Sequence, residues 1–262
     1  MVASPDPLLG ARIKTERAEE HIIQLETAER EFRSVNPDVF STYTEYRGST
    51  RVICARIKLT LPFAWGTIIG DAVHNLRSAL DLLTYQLVPP AKRSTNTMFP
   101  IFKSESTYES HVAGRINGSH PEVRTILDRL KPYKGGTDGF WWIHDIDIHD
   151  KHHVLLPVVG SIRDIALEHT VQGTPLYSWN FPDHVRCPVE DGAVLVNFVG
   201  GGSRRRGLLS LELPEVETGY RGTFFVAFSE PEVVKCQPIL PTLRDLLALT
   251  RRTIDELAPH VV

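Results

Sequence analysis

The stretch Trp65–Val88, WGTIIGDAVHNLRSALDLLTYQLV, constrains the fold more than any other. It runs without proline until Pro89-Pro90. Wound at about 100° per residue, it places Ile69, Val73, Leu76, Leu80, Leu83 and Leu87 on one face. That set is a core stripe. The opposite face carries Asp71, His74, Ser78, Asp81 and Tyr85, flanked by Asn75 and Arg77. A solvated helix face is usually Lys and Glu. This one mixes acids, an imidazole, an amide and a guanidinium, which makes it a candidate site.

The rest of the chain must bury that stripe, and 262 residues suffice for a substantial core. A net charge of −3 gives no global basic field for duplex nucleic acid or an anionic membrane. Cys54, Cys187 and Cys236 are odd in number and widely spaced, as expected of incidental thiols in a reducing compartment. The N-terminal residues have no apolar signal region, and no apolar run approaches the roughly 18 residues of a membrane span. The expectation is a cytoplasmic protein with no membrane partner.

Apolar residues at Leu8, Leu9, Ile13, Ala18, Ile22, Leu25, Ala28 and Phe32 predict a long helix from Pro7 to about Val35. Two β-rich runs follow, Val39–Tyr46 and Arg51–Leu61, joined by a hairpin signal at Arg47-Gly48-Ser49-Thr50. Pro89-Pro90 ends the central helix. Residues 91–120 read as a polar surface loop with a turn or two of helix. Pro121 opens a helix to Leu130. From Val154 to Glu232 the chain reads as β, with strands at His153–Val159, Asp164–Val171, Ala193–Phe198, Gly207–Leu213 and Gly222–Phe228. Gly200–Gly207 lies between two of these strands, so it reads as a basic hairpin tip and not a phosphate loop, which needs a following helix. Ile239 to about Val261 is an amphipathic helix with Pro241 in its first turn.

This order is α+β, not alternating βαβ. The expected arrangement is a single domain, residues 1–262. In it a layer of about four helices (N-terminal, central 65–88, 139–152 and C-terminal) packs on a mainly antiparallel sheet. No linker-like stretch divides the chain.

A second polar stretch, Phe140 to His153, reads FWWIHDIDIHDKHH. As a helix it sets Asp145, His149 and His152 on one face. As a strand it lines up Asp145, Asp147 and His149. Either set offers oxygen and nitrogen ligands, so Asp145, Asp147 and His149 are metal candidates and a divalent metal is the candidate cofactor. Asp150-Lys151-His152 stands just before an apolar strand, where buried charge needs partners. Arg77, His74 and Asp81 are the natural ones, with Arg77 and Asp150 as a bidentate pair.

Gly70–Asp81, GDAVHNLRSALD, together with Asp150-Lys151-His152 and the Phe99-Pro100-Ile101 island, resembles a bacterial family of unassigned function, common in actinobacteria. Its members carry an HNLRSALDH-like helix and a later DKHR-like junction. The helix also resembles HEPN-type domains, helical bundles of which many are RNases with Arg followed four to six residues later by His. Here the matching position is Leu82, so that resemblance supplies no acid/base histidine. Arg115–His120 and Arg163–His169 have the spacing, but no more often than chance supplies. His74, one turn before Arg77, is the alternative.

The expected function is hydrolysis of a phosphate ester or RNA, as the HEPN resemblance implies. His74 and His152 would move protons near neutral pH. Arg77 and Lys151 would neutralise an anionic group. Asp71, Asn75, Asp81 and Asp150 would support them. The expected partner is RNA or a small phosphorylated ligand, with a homodimer formed through a terminal helix. Two other readings use the same residues: a non-catalytic anion-binding or regulatory module, and a purely structural polar network.

Overall fold

The computed structural model describes residues 6–37, 39–48, 50–58, 60–153, 155, 157–171, 174–181, 187–198 and 217–262. The Gly200–Gly207 tip and the expected strand Gly207–Leu213 lie outside these residues. The fold is α+β, with six α-helices and six strands among the described residues. In chain order these are α1 (Leu9–Val35), β1 (Phe40–Arg47), β2 (Thr50–Ile57), α2 (Ala64–Leu87), α3 (Glu105–Arg115), α4 (Pro121–Leu130), α5 (Asp138–His152), β3 (Pro157–Val171), β4 (Thr174–Phe181), β5 (Val194–Phe198), β6 (Glu217–Phe228) and α6 (Ile239–Leu257). No helix among the described residues is long and apolar enough to cross a membrane.

The chain forms two compact units. One comprises residues 1–30, 63–157 and 228–262, and the other comprises 31–62 and 158–227. The crossings between them fall within α1, at Pro62, at Pro157 and after Ala227, none of them a Gly/Ser-rich run. This is why the sequence shows no boundary.

The first unit is helical. All six residues of the expected α2 stripe are buried, and so are Ala72, Ala79 and Arg77. α2 packs against α5 and α6, and these two pack on each other. Their buried faces include Phe140, Ile143 and Ile146 of α5 and Leu243, Leu246, Ile254 and Leu257 of α6. Charge pairs fasten α1 to α6: Arg251 to Glu19 at 2.7 Å and Arg244 to Glu26 at 2.6 Å. α2 stops where expected. Val88 is extended (φ −98°, ψ 128°) ahead of Pro89-Pro90, because the proline ring crowds a helical residue before it. At α4, Pro121 is the first helical residue and His120 caps it by accepting from the Glu122 amide.

The count of about four helices is too low. Within 91–120 the chain forms α3, with Ser104 accepting from the Thr107 amide at its N-terminus.

The second unit holds two small sheets, ordered β1-β2-β5 and β4-β3-β6. β1 and β2 are antiparallel, with Arg47 opposite Thr50, so the Arg47–Thr50 break is a hairpin turn as expected. β5 extends that sheet antiparallel to β2. Two further differences concern β3 and β4. The expected strands at His153–Val159 and Asp164–Val171 are one strand, β3. It pairs antiparallel with β4, which the sequence reading did not identify.

Candidate functional site

The site lies within the helical unit, where α2 and α5 run side by side. Four levels relate them in antiparallel order, the last through Phe99. Gly70 lies against Asp150: a Cβ built there would overlap the Asp150 carboxyl. His74 meets Asp147. At the next level the Arg77 charge, after burial, holds the His144 imidazole below its usual range. Phe99, bonded to both Arg77 and Asp81, sets its ring 5.3 Å from that of Phe140 at a tilt of 34°. Positions 70, 74, 77 and 81 on α2, and 150, 147, 144 and 140 on α5, follow the three-or-four-residue steps that keep a row on one helix face.

Asp147 is the hub. Its side chain is only 4% exposed, and its two oxygens have separate partners. Oδ1 is 2.8 Å from His74 Nδ1, and Oδ2 accepts from Lys151 Nζ at 2.6 Å. Lys151 is i+4 from Asp147, so one turn of helix makes that pair. His74 and Lys151 are each about half exposed. An ionised carboxylate only accepts, so this contact needs a proton on His74 Nδ1, and in the neutral ring that tautomer leaves the lone pair on Nε2. Among the described residues Nε2 has no hydrogen-bond partner.

Arg77 turns inward. One nitrogen, Nη2, donates to Asp81 Oδ1 at 2.8 Å and to the Phe99 carbonyl at 3.2 Å. The same Asp81 oxygen accepts from the Phe99 amide at 2.9 Å. Burial raises the Asp81 carboxyl above its usual range even though Arg77 opposes it. Arg77 Nη1 is buried without a hydrogen-bond partner among the described residues. The expected Arg77–Asp150 pair is therefore replaced by Arg77–Asp81. One helical turn joins that pair, while Asp150 belongs to the Gly70 level. Burial first, then the charges of Asp71 and Asp147, raise the Asp150 carboxyl.

The other candidates are more scattered. Asn75 is bonded locally to the Asp71 carbonyl and accepts from Lys14 of α1 at 3.1 Å. Asp71 and His152 are exposed, and no hydrogen bond ties the His152 side chain to a described residue. The expected alternate-residue metal set, Asp145, Asp147 and His149, is split because this stretch is helical. Residues two apart point about 200° apart. Asp147 turns to α2, and His149 Nε2 lies 3.2 Å from Glu230 Oε2. Among the described residues no three His, Cys, Asp or Glu side chains gather as a metal group.

A cavity of about 170 Å³ lies elsewhere, lined by Arg12, Thr15, Glu16, Arg251, Ile254 and Asp255 of α1 and α6. Its Arg12 and Arg251 are already paired, with Asp255 and Glu19. The His74 side chain is 52% exposed.

Sequence reasoning missed Gly70, Trp141 and His144, and it assigned Asp147 only to a metal. The signal was present in the helical spacing of Phe140, His144, Asp147 and Lys151. No family model, curated protein or solved structure matches the chain.

Proposed function

We propose that the chain is a hydrolase of phosphate esters, RNA included, with His74 as the proton-transfer residue. The observation that supports this is the His74 Nδ1–Asp147 contact on a side chain that is half exposed, with no hydrogen-bond partner for the opposite ring nitrogen among the described residues. A buried carboxylate on Nδ1 fixes the tautomer and ring orientation and stabilises the imidazolium when it forms. His74 Nε2 takes the proton of an attacking hydroxyl as its oxygen bonds to phosphorus. The bond from phosphorus to the leaving oxygen breaks, and the imidazolium returns the proton to that oxygen. Lys151, held by Asp147 Oδ2 and half exposed, neutralises charge on the phosphoryl oxygens. The ribonuclease version rests on the HEPN resemblance, with His74 standing in for the histidine that Leu82 replaces.

The test is turnover of phosphate monoesters, diesters and RNA by wild type and His74→Asn. The expected loss is at least about 100-fold in kcat. The melting temperature should hardly change, because His74 is half exposed. Equal turnover by the two proteins, or none by wild type on any substrate, would remove His74 as a catalytic base.

A further inference from the structure

We propose that the cavity between α1 and α6 is a binding site for a small aliphatic diamine, held through its two ammonium groups. The cavity, about 170 Å³, is lined by Arg12, Thr15 and Glu16 of α1 and by Arg251, Ile254 and Asp255 of α6. It lies within the helical unit and shares no residue with the α2–α5 site, so this inference stands apart from the hydrolase reading.

The charges already in place set the sign of the ligand. Arg251 forks on Glu19, with Nη1 3.2 Å and Nη2 2.7 Å from its two oxygens. Arg12 reaches Asp6 through Nε at 3.5 Å and Asp255 Oδ1 through Nη1 at 3.2 Å. The Glu16 carboxylate has no hydrogen-bond or ion-pair partner among the described residues. Four carboxylates (Asp6, Glu16, Glu19 and Asp255) thus stand against two guanidiniums, a surplus of two negative charges. Thr15 is 4% exposed, and its hydroxyl donates to the Arg12 carbonyl at 2.8 Å. With that proton committed, its oxygen can only accept from a ligand. An ammonium group brings three N–H donors and the opposite charge to such a wall. Ile254, 2% exposed, gives a methylene chain an apolar surface. A cavity of about 150 Å³ holds benzene, so this one takes a chain of about six heavy atoms. A four-carbon diamine has that size, and its two charges match the surplus.

The test is calorimetric titration of 1,4-diaminobutane into the whole chain at neutral pH and constant ionic strength. 1-Aminobutane, butane-1,4-diol and butanedioate are run beside it. The expected result is saturable binding of the diamine, about three-fold weaker binding of the monoamine, and no binding of the diol. The diamine should also raise the melting temperature. Glu16→Gln removes the unpaired carboxylate at an exposed position, so the protein should fold and bind the diamine about three-fold more weakly. Glu20→Gln lies one turn further along α1, outside the lining, and changes the net charge equally. It should leave the affinity unchanged. Diamine binding should persist in His74→Asn, whatever becomes of ester turnover there. A diamine that neither binds saturably nor shifts the melting temperature overturns the site. So does equal weakening by Glu16→Gln and Glu20→Gln, which would reduce the effect to net charge. Tighter binding of butanedioate than of the diamine would assign the cavity to the guanidiniums and overturn it as well.

Discussion

Gly70 of α2 lies directly against the Asp150 carboxyl of α5, and the absence of a side chain there is a packing requirement. A Cβ would occupy the space of the Asp150 carboxyl. Overpacking of this kind typically costs about 1–3 kcal/mol, while alanine in a helix interior gains about 1 kcal/mol over glycine. Gly70→Ala should therefore destabilise by about 1 kcal/mol net. In an Asp150→Ala background the clash is gone and only the helix gain remains, so the sign should reverse. Urea unfolding of the four proteins in this cycle reads the coupling. Equal effects of Gly70→Ala in both backgrounds would show that the two positions do not meet. His74 and Arg77 could be marked from the mixed polar face of α2 and its flank, and Lys151 from the charged Asp150-Lys151-His152 run ahead of an apolar strand. Their partners could not be marked. Whether Arg77 pairs with Asp81 or Asp150 depends on the register between two helices distant in sequence, which is a tertiary fact.

Elements were legible in proportion to their apolar periodicity. α2 and α6 present long buried stripes, and both were expected close to their observed bounds. The β-rich runs of the hairpin strands β1 and β2, joined by the Arg47–Thr50 turn, were equally clear. α3 was not, because ESTYESHVAGR buries only Tyr108 and Val112, too few for a stripe. Its start is fixed by a cap instead: Ser104 Oγ accepts from the Thr107 amide. Ser104→Ala should cost about 1 kcal/mol. The loss should show in denaturant unfolding with unchanged turnover at His74, since Ser104 touches neither α2 nor α5. A loss well under half that value would mean that the buried Tyr108 and its Asp128 hydrogen bond hold α3 without the cap. β4 escaped notice for a related reason. TPLYSWNF mixes proline and asparagine into the run, and its pairing with β3 is a tertiary fact.

At the scale of the molecule, the helical unit is closed by chain segments from both ends and the middle. A titrating group between α2 and α5 therefore bears on the stability of the whole unit. His144 is such a group, with its imidazole pushed from 6.5 down to about 4 by burial and by Arg77. A base whose folded value is depressed binds protons more readily when unfolded. Stability should then be fully present above about 6.5 and fall as pH drops toward about 4. Asp150 acts with the opposite sign. Its raised carboxyl value favours the protonated form in the fold, so lowering the pH relieves its repulsion from Asp71 and Asp147. The two contributions can be separated by substitution. His144→Gln cannot charge and keeps a polar side chain. The melting temperature of wild type should approach that of the variant as pH falls from 6.5 to 4. Parallel melting curves for the two proteins across this range would place His144 in contact with solvent and remove it from the α2–α5 interface.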